Sequence, residues 1–325
     1  MIYSLIKNII NSGGYIKPLI LPAKDIINPS LTNPSIFNDN GKLLINLRNV
    51  NYALYHAEKG LNEHPWGPLC YLHPENNWIL HTYNILCELN NSLDIISYSQ
   101  IDTSLLDVEP KWEFVGLEDG RLVKWDNKLY LSGVRRDTTT NGQGRIELSE
   151  IIHKNKWIEN NRHRIPAPPP DASYCEKNWM PILDMPYHYI KWTNPTEVVK
   201  YNLEDKSCCT TRLNNYTEYN TSDLRGGSQV LKIKNYYFAL VHEVNLFQTE
   251  ANKKNADYYH RFVLWDQEFN LIRVSDRFNF MGARIEFCCG MCEFNGNYLI
   301  SFGFQDNAAY VVSVSSSFIE DILDL

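Results

Sequence analysis

The string Leu117-Glu118-Asp119-Gly120-Arg121-Leu122 sets two acids beside a guanidinium. These are the residue types needed to protonate a leaving oxygen and to grip the group that bears it. A neighbouring Arg can also tune the acid. In a regular strand adjacent side chains point to opposite faces, so only one of Glu118 and Asp119 is expected to face a shared site. Arg135-Arg136-Asp137 is a second cluster, because a guanidinium fork matches an oxyanion such as phosphate or the diphosphate of a sugar nucleotide. Its other reading is a surface ion pair between Arg136 and Asp137. Arg225 beside Gly226-Gly227 places a cation next to backbone N–H groups able to cradle an anion. His242-Glu243 closes an apolar run, where a histidine serves either packing or a site.

These residues lie far apart in the chain, so a fold must gather them, and a repeat offers the means. A motif-bearing segment followed by a turn and an apolar strand occurs five times, beginning near residues 33, 117, 176, 225 and 286. Asn33-Pro34-Ser35 leads through Asp39-Asn40-Gly41 into Lys42–Arg48, and Glu286–Gly290 leads through Asn295-Gly296-Asn297 into Tyr298–Gly303. Such turns tolerate positive φ and mark hairpins. Helical periodicity is scarce. The expected fold is all-β: one five-bladed β-propeller domain over residues 1–325, with the innermost strand of each blade lining a central channel. Residues 58–77 and 157–175, rich in Pro and polar groups, read as long loops or blade connections.

Composition narrows the partners. A net charge of −7 with no basic run argues against a nucleic-acid scaffold. The stretch from Met1 to Ile20 is broken by Lys7, Asn8, Asn11, Ser12 and Gly13-Gly14, so neither a signal peptide nor a membrane span is expected, and the cytoplasm is the default. The 20 Tyr, 13 Phe and 8 Trp suit half-buried strands and can also stack on sugar rings. Of eight cysteines, Cys289 and Cys292 have CxxC spacing but no second pair at matching distance. Reduced packed thiols are therefore expected, with no metal and no cofactor.

The Glu118-Asp119-Gly120-Arg121 segment resembles the Glu-Asp-Pro-Arg-Ile segment of the β-mannoside phosphorylases and mannosidases of glycoside hydrolase family 130, which are five-bladed propellers. Asn33-Pro34-Ser35 and Arg48 resemble that family's opening motif, and Asn297–Asp306 is similar to its closing strand. The resemblance implies Asp119 as catalytic acid, reaching the glycosidic oxygen directly or through a sugar hydroxyl. It implies Asn33, Arg48 and Asp306 as sugar-binding, beside Glu118 and Arg121. It also implies Lys177 and His242 around phosphate, with Arg135 or Arg136 as a third group; Arg225 joins the phosphate-binding candidates from its own place beside Gly226-Gly227. Gly120 replaces the family's Pro, Arg225-Gly226-Gly227-Ser228 replaces Gly-Ala-Gly-Pro-Pro, and Trp192-Thr193-Asn194-Pro195 takes the place of His-Arg-Pro.

Three functions fit. The first is an inverting phosphorylase or hydrolase of β-linked sugars, with mannosides as the expected substrates. Hydrolysis needs a second carboxylate about 6.5–9.5 Å from the acid, for which Glu176, Glu243 and Glu286 are the candidates. The second is a glycosyltransferase taking its sugar from a sugar nucleotide or sugar phosphate. The third is a non-catalytic propeller that binds glycans or proteins.

Overall fold

The computed structural model describes residues 3–26, 28, 30–55, 70–72, 79–216, 223–248 and 254–325. The hairpin signals act as expected. Asn40 (φ 53°) and Gly41 (φ 93°), Asp126 (φ 49°) and Asn127 (φ 61°), and Asn295 (φ 52°) and Gly296 (φ 75°) turn one strand tightly into the next.

A short helix, α1 (Leu5–Asn11), and a strand, β1 (Tyr15–Pro18), come first. The first sheet runs through β2 (Ser30–Asp39), β3 (Lys42–Val50), β4 (Leu80–Leu89) and β5 (Ile95–Gln100). The second is β6 (Leu117–Trp125), β7 (Lys128–Arg135), β8 (Arg145–Lys154) and β9 (Lys156–Arg164). The third is β10 (Met180–Pro181), β11 (His188–Trp192), β12 (Thr196–Tyr201) and β13 (Cys208–Asn214). A larger sheet is built on β14 (Arg225–Gly226), β15 (Tyr236–Gln248) and β16 (Lys254–Trp265). The last joins β17 (Glu286–Phe294), β18 (Asn297–Phe304) and β19 (Ala308–Ser315) to β1, and helix α2 (Ser316–Leu323) follows.

The arrangement is propeller-like, but four blades form rather than the five expected. Four sheets follow a four-strand path, whereas the unit begun at Arg225 is a seven-stranded sheet. Its excess has a local cause. β15 and β16 are 13 and 12 residues long, and their edges recruit the short strands Leu231–Ile233, Leu271–Val274 and Phe278–Asn279, the last of which pairs in turn with Tyr3–Ser4.

Apolar clusters fill the space between successive sheets. Leu44, Leu86, Leu122, Leu131 and Ile151 join the first to the second. Trp125, Tyr130, Trp179 and Tyr189 join the second to the third, with Trp125 and Tyr189 edge-to-face at 5.3 Å. Met180, Val198, Val241 and Trp265 join the third to the large sheet, and Phe238, Phe262, Cys288 and Phe302 join that to the last. Ile36, Ile45, Leu299 and Val311 join the last back to the first. β1 completes the last sheet from the N-terminal side, pairing Ile16 with Val312. α1 buries Leu5, Ile6 and Ile9 against the same cluster.

Two connection readings change. Residues 157–164, read as loop, form β9, whose exposed edge position explains its polar residues. Most of 58–77, including His64-Pro65-Trp66-Gly67-Pro68, lies outside the described residues; Cys70–Leu72 pairs with Ala53–Tyr55. Among the described residues no helix is long and apolar enough to cross a membrane.

Candidate functional site

Three inner strands break register at the same level of the channel. The breaks fall between Thr32 and Ser35 on β2, between Glu118 and Arg121 on β6, and between Cys288 and Gly290 on β17. A bulge re-aims the side chains it carries. Asn33 (φ 42°) and Asp119 (φ 50°) occupy the first two breaks in left-handed geometry, and Asp306 (φ 48°) does so in the turn after β18. Backbone held in this region clusters at functional sites because the surroundings over-determine it.

The three meet around Arg48. Asn33 Nδ2 donates to Asp119 Oδ1 at 2.8 Å, and Arg48 Nη1 donates to the same oxygen at 3.0 Å. Arg48 Nη2 lies 3.7 Å from Glu118 Oε2 and donates to the Tyr52 hydroxyl at 3.0 Å, while its Nε donates to Thr82 Oγ1 at 3.3 Å. The expectation that only one of the paired acids would face the site fails because the bulge removes the alternation. Both reach the same guanidinium.

The electrostatics separate the three carboxyls. Burial pushes Asp119 up, but Arg48, the Asn33 hydrogen bond, Arg121 and Lys177 outweigh it and hold Asp119 below its ordinary value. Burial pushes Glu118 up, with Arg48 opposing and Asp119 adding to the rise. Burial raises Asp306 to about 6; Arg48 opposes this, and Asp119 and Glu118 reinforce it. Burial also works against the charge on Arg48, yet Tyr52, Asp119, Glu118 and Asp306 more than offset it. The site thus pairs an ionised Asp119 with an Asp306 that keeps its proton into mildly acidic pH.

The remaining predicted residues divide. Lys177 is exposed at the rim, and its charge acts on Glu118, Asp119 and His242. Arg225 is half-buried, bonds Asp223 through Nε at 3.2 Å and acts on His242. Arg136 also acts on Glu118. Its expected ion pair with Asp137 is formed instead by Arg135, at 3.3 Å.

Arg135 is not at this site. Its Nε lies 2.7 Å from Glu147, and it lines a hollow of about 270 Å³ between the first and second sheets, with Thr82, Leu131, Asp137 and Glu159. Committed to two carboxylates, it is no phosphate ligand. Arg121 is also structural. It is buried, with Nε donating to Gly227 O at 2.6 Å and Nη1 to Asp119 O at 3.0 Å, so it fixes the bulge rather than touching a sugar.

His242 is corrected in charge. It is buried, stacked on Tyr258 at 5.4 Å and edge-on to Phe287 at 4.9 Å. Burial, then His260, Arg225, Lys177 and Arg121, push its pKa well down, so it is neutral and not a cation. At the Gly226-Gly227 pair, a Cβ on Gly226 would sit 2.0 Å from Asn178 O, and one on Gly227 2.3 Å from Leu240 O, so these glycines permit close backbone approach.

All three candidate bases are committed elsewhere. Glu286 accepts from the N–H groups of Phe280 (2.6 Å), Met281 (2.8 Å) and Ala283 (3.1 Å). Glu176 accepts from Trp179 Nε1 at 2.9 Å and Ser173 Oγ at 2.5 Å. Glu243 is paired with Arg261 and with Arg277, the latter at 2.6 Å. Among the described residues no group of three or more His, Cys, Asp or Glu is placed to hold a metal ion. Cys87, Cys175, Cys208, Cys209, Cys288, Cys289 and Cys292 are free thiols.

Tyr258 and Cys289, besides Tyr52 and Thr82 that hold Arg48, escaped the sequence reading as site residues. Tyr258 on β16 faces the site, since burial and then Asp306 and Asp119 push its phenol up to about 12, leaving it a hydrogen-bond donor. Cys289 occupies the third bulge and its thiol donates to Asp119 O at 3.5 Å. The register pairs Tyr258 with Val244, two residues beyond His242 on a predicted strand, and this spacing was the available signal.

No family model matches the chain, and no curated protein sequence matches it. Solved structures do. The β-1,2-mannobiose phosphorylase of Listeria innocua in complex with β-1,2-mannobiose aligns with a TM-score of 0.55 at 13% identity, covering 96% of this chain and 98% of that one. MPT-4, a mannose phosphorylase of Leishmania mexicana in complex with phosphate ion, aligns at 0.54 and 10% identity, covering 97% and 93%. MPT-1 of Leishmania mexicana, a GDP-Man-dependent mannosyltransferase, aligns at 0.54 and 13% identity, covering 94% and 91%. The chain shares their fold.

Proposed function

We propose that this chain is a carbohydrate-active enzyme that breaks or forms a β-mannosidic bond by inversion, using an anionic cosubstrate. The observation that carries the reading is the contact of Asn33 and Asp119, from two bulged inner strands, with each other and of Asp119 with Arg48 on β3, Glu118 and Asp306 lying around the same guanidinium. Lys177 and Arg225 supply positive charge near this cluster, and neutral His242 and Tyr258 supply hydrogen bonds without charge. Hydrolysis fits less well, because Glu176, Glu243 and Glu286 are each held by other groups and are poor bases for water.

In phosphorolysis a phosphate oxygen attacks the anomeric carbon as the glycosidic bond breaks. The departing oxygen takes a proton from the small protonated fraction of Asp119 that its lowered pKa leaves, directly or through a sugar hydroxyl, and a sugar 1-phosphate of inverted configuration leaves. Read backwards, ionised Asp119 takes the proton from an acceptor hydroxyl as the acceptor oxygen displaces phosphate. The lowered pKa of Asp119 suits that direction, and it favours transfer from a sugar phosphate or sugar nucleotide as the second reading.

The test is a product assay on β-mannosides and on GDP-mannose, with and without inorganic phosphate. Phosphate-dependent release of mannose 1-phosphate supports phosphorolysis, and transfer from GDP-mannose without phosphate supports the second reading. Asp119→Asn should lower turnover about 10²–10⁴-fold while sugar binding persists. Undiminished turnover in that variant removes Asp119 from the mechanism.

A further inference from the structure

On the Glu118 side of the site, an exposed aromatic ring is held more firmly than its exposure requires. Tyr174 is 52% exposed. Its hydroxyl nevertheless donates to Asn141 O at 2.7 Å and accepts from Arg136 Nη2 at 3.0 Å. Its backbone is tied as well: Gly144 N donates to Tyr174 O at 3.1 Å, and Glu176 N donates to Gly144 O at 3.0 Å. Arg136 in turn donates from Nε to Gly142 O at 2.9 Å. Its guanidinium carbon lies 5.0 Å from the centre of the Phe114 ring and 5.6 Å from that of Tyr174. The loop carrying Asn141 and Gly142 is seated on Trp112. Gly142 has a φ of +67°, and a Cβ there would fall 2.4 Å from the indole.

Three elements therefore fix one surface: the segment entering β6, the loop after β7 and the segment leading to β10. Glu118 is the register partner of Val134, two residues before Arg136, and Val134 packs against Gly144 (3.2 Å from a Cβ built there), whose N–H holds Tyr174 O, so this surface borders the carboxylate next to Asp119; the charges of Arg136 and Lys177 act on Glu118 as well. An exposed ring pinned at its hydroxyl offers a flat apolar face at little cost in conformational entropy. The adjoining guanidinium edge offers hydrogen bonds beside it. One apolar face with polar groups around its perimeter describes a pyranose ring, whose C–H face stacks on the aromatic while its hydroxyls meet the donors.

We propose that Tyr174 and Arg136 form the subsite for the sugar on the leaving-group, or acceptor, side of the bond, rather than part of the phosphate site. The proposal rests on the reading of the Asp119 cluster as the place where the bond is broken or made. Arg136 thereby has a different role from Lys177 and Arg225, and the length of oligosaccharide accepted is set at this rim.

The test compares wild-type protein with Tyr174→Ala and Tyr174→Phe in binding to a glycan array that carries β-linked manno-oligosaccharides, and in kinetics on any mannoside found to turn over. Tyr174→Ala should weaken oligosaccharide binding, and raise KM for the disaccharide or acceptor, about tenfold, with KM for phosphate unchanged. Tyr174→Phe, which keeps the ring, should retain most of the binding. Equal array signals for wild type and Tyr174→Ala, or a rise in the KM for phosphate instead, would overturn the subsite. A wild type that binds other glycans but no mannoside overturns the mannoside reading; loss of those glycans in Tyr174→Ala would still support the subsite. Absence of all glycan binding overturns both.

Discussion

Asp119 and Asp306 sit beside the same guanidinium, yet their proton affinities are driven apart. Asp119 receives hydrogen bonds from both Arg48 and Asn33, and these outweigh burial. Half-buried Asp306 lies near Arg48 but also near two other carboxyls, and its pKa rises to about 6. The sign for stability follows from that rise. Its folded pKa exceeds the unfolded value, so its contribution is full below about 4 and is lost as pH climbs through 6. Asp306→Asn stays neutral throughout. Urea unfolding at pH 5 and pH 8 should therefore show wild type losing about 1 kcal/mol more than the variant over that interval. Identical losses in the two proteins would mean that Asp306 is already ionised at pH 5. The raised value came from burial among acids, which no residue spacing encodes. Asn33, Arg48, Asp119 and Asp306 were legible as a set through the resemblance of their motifs to those of glycoside hydrolase family 130; residue types and spacing alone pointed to Glu118, Asp119 and Arg121.

At the scale of the element, the bulge does most to position the site. Alternation predicts strands well but cannot announce where a strand slips register, so Glu118 and Asp119 were expected on opposite faces. Gly120 marks the slip, since a Cβ there would lie 2.6–2.9 Å from the side chain of buried Leu131. This offers a packing reason for glycine where the resembled motif has proline. The same logic misplaced Arg135 and Arg121, whose partners come from strands distant in sequence and close only after folding. Hairpin turns were legible because Asn-Gly and Asp-Asn act locally; the widened sheet built on β15 and β16 was not, because edge recruitment depends on neighbours. Gly303 tests how tightly one strand fixes another. A Cβ there would meet Asn33 Oδ1 at 2.1 Å and Asn33 N at 2.6 Å. Gly303→Ala should push Asn33 away from Asp119, lower turnover on the active mannoside at least tenfold and destabilise the fold by about 1–3 kcal/mol. Kinetics and urea titration check both, and a fully active variant would show that the β2–β18 approach does not hold Asn33 in place.

The whole molecule turns on a polar side chain beneath the site. Gln229, fully buried, donates from Nε2 to Leu122 O at 2.8 Å, Ile36 O at 3.1 Å and Ser35 Oγ at 3.2 Å. Its Oε1 accepts from Met291 N at 2.8 Å. One amide from the large sheet thus ties β2, β6 and β17 together at the level where their bulges begin. Ser35 Oγ reinforces the same knot by accepting from Leu122 N at 2.9 Å. The apolar clusters between sheets resist separation but are tolerant of sliding, because dispersion and burial are non-directional. Directional bonds at the axis fix the rotation of one sheet against the next, and with it the meeting of Asn33 from β2 and Asp119 from β6. Gln229→Leu keeps the approximate volume and strands the buried Ile36 O, Leu122 O and Met291 N. At about 1–3 kcal/mol for each orphaned group, and with some relaxation, the loss should be about 3–5 kcal/mol. Urea unfolding would register it as a lower midpoint with an unchanged slope. Turnover of the folded fraction should fall as well, because Asn33 and Asp119 would no longer be held at one rotation. A variant with wild-type midpoint and activity would mean that apolar packing between sheets is enough to set the site.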